Sequence, residues 1–143
     1  QLPKIFETAE LPFIRQIRFY NDPWVAHKLN FLHHGQLALR QMLLDIICLI
    51  IDLTQDTDVT NQVQRQQDLV TRSANIIAES IPPMLEAVMR DMSAQIPSRG
   101  ARINQYFACA ACWVLDQGRY IPDETKEVAH RASVWLDKEF GLN

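Results

Sequence analysis

Cys109 and Cys112 form a C-x-x-C pair, the spacing most suggestive of chemistry in this chain. On a helix it puts both thiols on one face, as half of a zinc site or a redox couple requires. Zinc needs two more ligands, and Cys48 and His130 are the plausible helpers. The competing reading is that Ala108-Cys109-Ala110-Ala111-Cys112 is a small-residue face that admits a neighbouring helix. Free Cys behaves as a small buried hydrophobe, so we take the packing reading and expect no metal and no cofactor. Asp56-Thr57-Asp58-Val59-Thr60 copies the D-x-D pattern of phosphoryl-transferring hydrolases. That chemistry wants the first Asp at the end of a strand in an α/β sheet, and no other strand is available here. The simpler reading is a polar turn with Asp58 capping the next helix. A calcium loop is excluded because no Gly or terminal Glu completes it.

His27 and His34 lie two helical turns apart, about 10 Å, too far to share a metal without outside ligands. His33 adds a third imidazole. Trp24, Tyr106, Trp113 and Trp135 could line a ligand pocket, although aromatics at helical spacing more often fill a core. Tyr106 and Trp113 are seven residues apart on one helix, and each carries a polar handle that a dry core must satisfy. Beside Cys109 and Ala110 they suggest a gap, which His34 could reach from a neighbouring helix. His34, Tyr106 and Trp113 are therefore the candidate ligand-pocket residues; no catalytic constellation is present.

The elements that must position these groups read as helices. Leu37–Leu53 is apolar nearly all round, which predicts a helix buried on most sides. Its pattern extends back to Trp24, too long for a strand. Asp22 and Pro23 suit a helix start, and Gly35 could weaken or kink the run. Two short apolar clusters, Ile5/Phe6 and Phe13/Ile14/Ile17, predict one or two short helices before it. Thr54–Asp58 reads as a turn. Val59, Val63, Val70, Ala74, Ile77 and Ile81 mark the next helix, which Pro82-Pro83 should end or sharply kink. Leu85, Val88, Met89 and Met92 continue at helical spacing. Ser93–Gly100 is a loop with Pro97 and Gly100 as breakers.

A helix over 101–117 should turn Ile103, Tyr106, Phe107, Ala110, Trp113 and Val114 inward, with Gly118 just past its end. The last helix starts near Ile121-Pro122-Asp123-Glu124, with acids in its first turn, and buries Val128, Ala132, Trp135, Leu136 and Phe140. The expectation is an all-α fold: a bundle of about five or six helices around a long, buried central helix, with residues 1–143 as one domain. The opening Gln1 suggests a piece of a longer protein.

The 143 residues suffice for one real core. Net charge is −3, and the arginines are scattered among acids, against a nucleic-acid surface that needs clustered cations. Three Cys make no disulfide framework and suit an intracellular chain. No signal peptide is evident. Arg40, Gln41 and Asp45 interrupt the best membrane-span candidate, short of the roughly 18 apolar residues needed.

Three stretches resemble a family. Ala74-Asn75-Ile76-Ile77-Ala78-Glu79-Ser80-Ile81-Pro82 is similar to the "I-x-A-S-[IV]-P" segment in the C-terminal regulatory region of fungal-specific zinc-cluster transcription factors. That family follows it with a variable loop and a "G-G-Y-x-L-x-W-P-L" helix, here Gln105 to Trp113. Its closing helix carries a central aromatic and a final "G-[IL]", here Val134 to Leu142. The order and spacing match over roughly half the chain. Asn104-Gln105 replaces the Gly pair, and the W-P-L step is lost.

The resemblance implies a non-catalytic regulatory or effector region, nuclear and cytoplasmic. It would act by self-association, through a protein partner, or on a small-molecule effector. An alternative is a standalone enzyme of secondary metabolism on the same scaffold, with an aromatic-lined pocket. The family's DNA-reading zinc cluster needs six cysteines among basic residues, which this stretch does not supply. This chain alone should therefore give no sequence-specific, salt-sensitive band in a mobility-shift titration with duplex DNA.

Overall fold

A computed structural model describes residues 23–54, 57–93 and 99–140. They form four helices: α1, Pro23–Thr54; α2, Thr57–Ser93; α3, Arg99–Gln117; and α4, Asp123–Phe140. There is no strand among the described residues, so the all-α expectation holds. The short helices expected within residues 1–20 lie outside them, as do Asp22, Asp56 and Met92's side chain.

The core is organised by α2. Val70, Ala74, Ile77, Ala78, Ile81, Leu85 and Val88 repeat at helical spacing and are fully buried. Helix α2 packs against α1 on one side and α3 on the other, and also touches α4. Small residues at 74, 78 and 80 allow both neighbours to approach closely. The expected break at Pro82-Pro83 does not occur, because α2 runs through both prolines. Each proline removes an N–H, taking from the carbonyls of Ala78 and Glu79 their usual partners. Burial on this face compensates: Ile81, Pro82, Met84 and Leu85 are all buried there. The helix continues because tertiary packing outweighs the local cost.

The long α1 is not the buried centre that its composition predicted. It turns Ala26, Asn30, Leu37 and Leu44 toward α2 and leaves much of its remaining apolar surface in water. The three other described helices lie on one side of it and do not surround it. Gly35 interrupts nothing; α1 is continuous, and the space around that glycine is open.

The expected face of α3 is also corrected. Asn104, Phe107, Ala108, Ala111, Cys112 and Leu115 point inward, while Tyr106 and Trp113 are 66% and 60% exposed. Both registers repeat at helical spacing. The inward side sets the small Ala108, Ala111 and Cys112 beside Phe107 and Leu115, a mixture that fills the space against α2 and α4. The inward residues expected of α4 hold: Val128, Ala132 and Leu136 are buried, and Trp135 and Phe140 pack edge to face at 6.3 Å between ring centres.

The α3–α4 connection is anchored to α1. Gly118 is buried just past α3, and a Cβ there would sit 2.0 Å from Ile121 Cδ1, so any larger residue would have to displace the Ile121 side chain. The left-handed residue is instead Tyr120, at φ 61°. Its hydroxyl donates to Asp45 Oδ1 at 2.6 Å, and Arg119 pairs with Asp45 Oδ2. Chiefly the Tyr120 hydrogen bond, and then Arg119, hold the Asp45 carboxyl below its ordinary range. Asn75 Oδ1 accepts the hydroxyl of the buried Thr125 at 2.7 Å, tying α4 to α2.

Leu44 is fully buried, whereas Ile47, in the same apolar run of α1, is only half-buried. Leu44→Ala should lower unfolding stability by about 2–5 kcal/mol, as large-to-small core changes do. Urea denaturation of both variants should show a smaller loss for Ile47→Ala.

Candidate functional site

Two places on the described surface merit consideration: a cleft between α1 and α3, and the outer face of α1. His34 and Trp113 meet across the cleft edge to face, with ring centres 6.5 Å apart. Tyr106 lies two turns away on α3 and meets His27 instead, at 6.3 Å. The expected neighbourhood of α1 and α3 is therefore real, but Tyr106 and Trp113 stand at its rim.

The cleft has two compartments that share His34 and Val114. One, of about 60 Å³, lies among His27, Asn30, Phe107 and Ala111, with Ile77 of α2 also contributing. The other, of about 90 Å³, lies among Leu37, Gln41, Trp113 and Gly118. Both are small beside the roughly 300–1,000 Å³ of a drug-sized ligand pocket. The His27 ring stacks on Phe107 at 4.1 Å and 6°, and Trp24 meets that same Phe107 edge-on at 5.2 Å.

The residue that sequence reading missed is Asn30. It is buried, its Nδ2 donates to Ser80 Oγ at 2.8 Å, and Ser80 Oγ donates to the Ile77 carbonyl at 2.6 Å. Its Oδ1 is buried without a hydrogen-bond partner and belongs to a residue lining the smaller compartment. The available signal was an Asn among the apolar Val25, Ala26, Leu29, Phe31 and Leu32 of the same helix. The contact also gives the Ser80 of the family-like segment a job: it holds α1 to α2 from within the core.

The cysteines do not assemble a metal centre. Among the described residues no group of three or more Cys, His, Asp or Glu could hold an ion. Cys112 is buried between Ala108 and Leu115, and Cys109 is half-buried at the same helix's edge. Burial pushes the Cys112 thiol up to about 12, against a smaller opposing effect from its hydrogen bond with Ser133. Burial, and then the charge of Asp137, raise that of Cys109. Neither is poised as a thiolate. The D-x-D reading also finds no support, since Asp58 sits in the first turn of α2 with no sheet beside it.

The larger feature is the outer face of α1. Leu32, Leu39, Ile46 and Leu53 form one row, and Leu29, Leu43 and Ile50 form the next, with exposures from 37% to 77%. Met42 and Leu49 widen the strip. Scattered exposed apolar residues are normal on a protein surface, whereas here they line up along one helix. No helix among the described residues is long and apolar enough to cross a membrane. No family model, curated protein or solved structure matches this chain.

Alkylation of the native protein at pH 8 should therefore label Cys48 and Cys109 well before Cys112. Unfolding in urea should bring all three to similar rates, read peptide by peptide in a mass spectrometer.

Proposed function

We propose that this chain is a non-catalytic regulatory or effector region of a fungal transcription factor, working in the nucleus by association through the outer face of α1. The apolar strip on α1 carries this reading. Apolar surface left in water costs roughly 25 cal/mol per Å², and a strip of this extent is stabilised by a partner that removes it from water. The family-like segments on α2, α3 and α4 supply the regulatory context. Covering the strip would also make α1 the long buried helix that its composition calls for.

A small-molecule effector is favoured by one observation, the unpaired Asn30 Oδ1 at the α1–α3 cleft. The compartment's size suits a group of few heavy atoms that offers a hydrogen-bond donor.

The chain should change transcription when tethered to an unrelated DNA-binding domain at a fungal reporter promoter. A several-fold change in output is expected, largely lost in the double substitution Leu39→Lys/Ile46→Lys. Output equal to that of the DNA-binding domain alone would sink the reading.

A further inference from the structure

We infer that the α1–α3 cleft takes a neutral, single-ring aromatic molecule with one hydrogen-bond donor, a simple phenol by chemical class, whose donor lies on Asn30 Oδ1. This rests on the small-molecule reading of the cleft and names the ligand class; it does not depend on the outer face of α1.

The neighbour of Asn30 fixes which end of its amide is free. The Ser80 hydroxyl gives its one proton to the Ile77 carbonyl at 2.6 Å, so toward Asn30 its oxygen can only accept. The amide group that meets it at 2.8 Å is therefore the donor, Nδ2. That leaves Oδ1 as the acceptor, in a residue only 7% exposed and with no hydrogen-bond partner among the described residues. A buried acceptor left in that state is costly, and a donor that reaches it recovers the cost. Asn30 lines the smaller compartment beside Ile77 and Phe107, so the cleft is where such a donor enters.

The walls define what carries the donor. Among the described residues no Asp, Glu, Lys or Arg lines either compartment, so nothing there compensates a ligand charge taken out of water. Phe31, Phe107 and Val114 stand near Asn30, and Leu37 and Trp113 continue the apolar lining beyond His34. His27 and Phe107 lie nearly parallel, and His34 and Trp113 meet edge to face. Walls built of rings favour a flat, apolar body.

Size sets the number of rings. The compartments, of about 60 and about 90 Å³, adjoin at His34 and Val114. Together they approach the roughly 150 Å³ of an apolar cavity that takes one benzene ring. A two-ring body exceeds that space. Water is the competing occupant, but an ordered water wants about two to four polar partners. Besides Asn30, only the two histidines carry polar side-chain atoms among the described residues lining the smaller compartment.

The test uses 4-fluorophenol, followed by its fluorine NMR signal, with the full 143-residue chain at neutral pH. The control is 4-fluorotoluene, which has nearly the same shape and no donor. The hydrophobic effect alone favours the toluene, because a methyl group leaves water more readily than a hydroxyl. A hydrogen bond to Asn30 Oδ1 reverses that order. Saturable binding of the phenol is expected at about millimolar concentration, about fivefold or more tighter than that of the toluene. Asn30→Leu should invert the preference, which a merely structural role for Asn30 would not do. Val114→Phe fills the boundary between the compartments and leaves the Asn30–Ser80 bond alone. It should abolish binding of both probes with the helical circular-dichroism signal intact, and it decides the matter if Asn30→Leu does not fold. Equal or tighter binding of the toluene by the parent would overturn the donor and leave a small-molecule cleft standing. Phenol binding that survives Val114→Phe would place the ring elsewhere and overturn the site. If neither probe binds, the phenol class is overturned. The reporter output of Val114→Phe then separates the two readings: a changed output leaves an effector of another class, and an unchanged one removes the small-molecule reading as well.

Discussion

Ala74, Ala78 and Ser80 sit buried on α2 among Ile77, Ile81 and Leu85, and the other helices take their places from that face. Small residues let α1 and α3 come close from two sides, while the branched side chains fill the space between them. The same face accounts for two prolines inside a helix. Losing backbone hydrogen bonds at Ala78 and Glu79 is tolerable where the surrounding side chains are fixed by packing on both flanks. The buried Asn30–Ser80–Ile77 chain of hydrogen bonds lies on this face as well. A buried polar pair of that kind adds little net stability but penalises any sliding of α1 along α2, because a slip leaves both groups unpaired.

The second constraint is a surplus. Helix α1 has more apolar surface than the other described helices cover. Its inward row meets α2, its next row borders the α3 cleft, and its third row is exposed. Functional surfaces often arise from such a conflict, where a helix's sequence is consistent with two burials and its own chain supplies one. The cleft follows from the same geometry. Large rings at Trp24, Tyr106 and Trp113 stand along the α1–α3 boundary, while Ala108, Ala111 and Cys112 face inward on α3 together with Phe107 and Leu115.

Much of the fold was legible in the sequence. Pro23, Gln117, Gly118 and Asp123 mark boundaries that the helices keep, because proline, glycine and first-turn acids act on their immediate neighbours. The inward face of α2 from Val70 to Ile81 and that of α4 were equally plain, since each has one strongly apolar side. His34 was read as able to reach Trp113 if their helices were neighbours, and the two rings do meet; the small-residue face around Cys112 is buried as the packing reading has it.

Other features depended on tertiary structure. Periodicity cannot choose between two apolar registers on α3, and the choice fell to the one whose small side chains fit between α2 and α4. An all-round apolar helix reads as a core helix whether its last face meets its own chain or another one. The continuity of α2 through Pro82-Pro83 was set by packing across the bundle, which local propensity does not contain. Asn30 became visible as a site only once Ser80 and the cleft were placed around it. Local chemistry in the sequence determined where the helices lie and which sides are apolar; long-range packing decided which of those sides were buried.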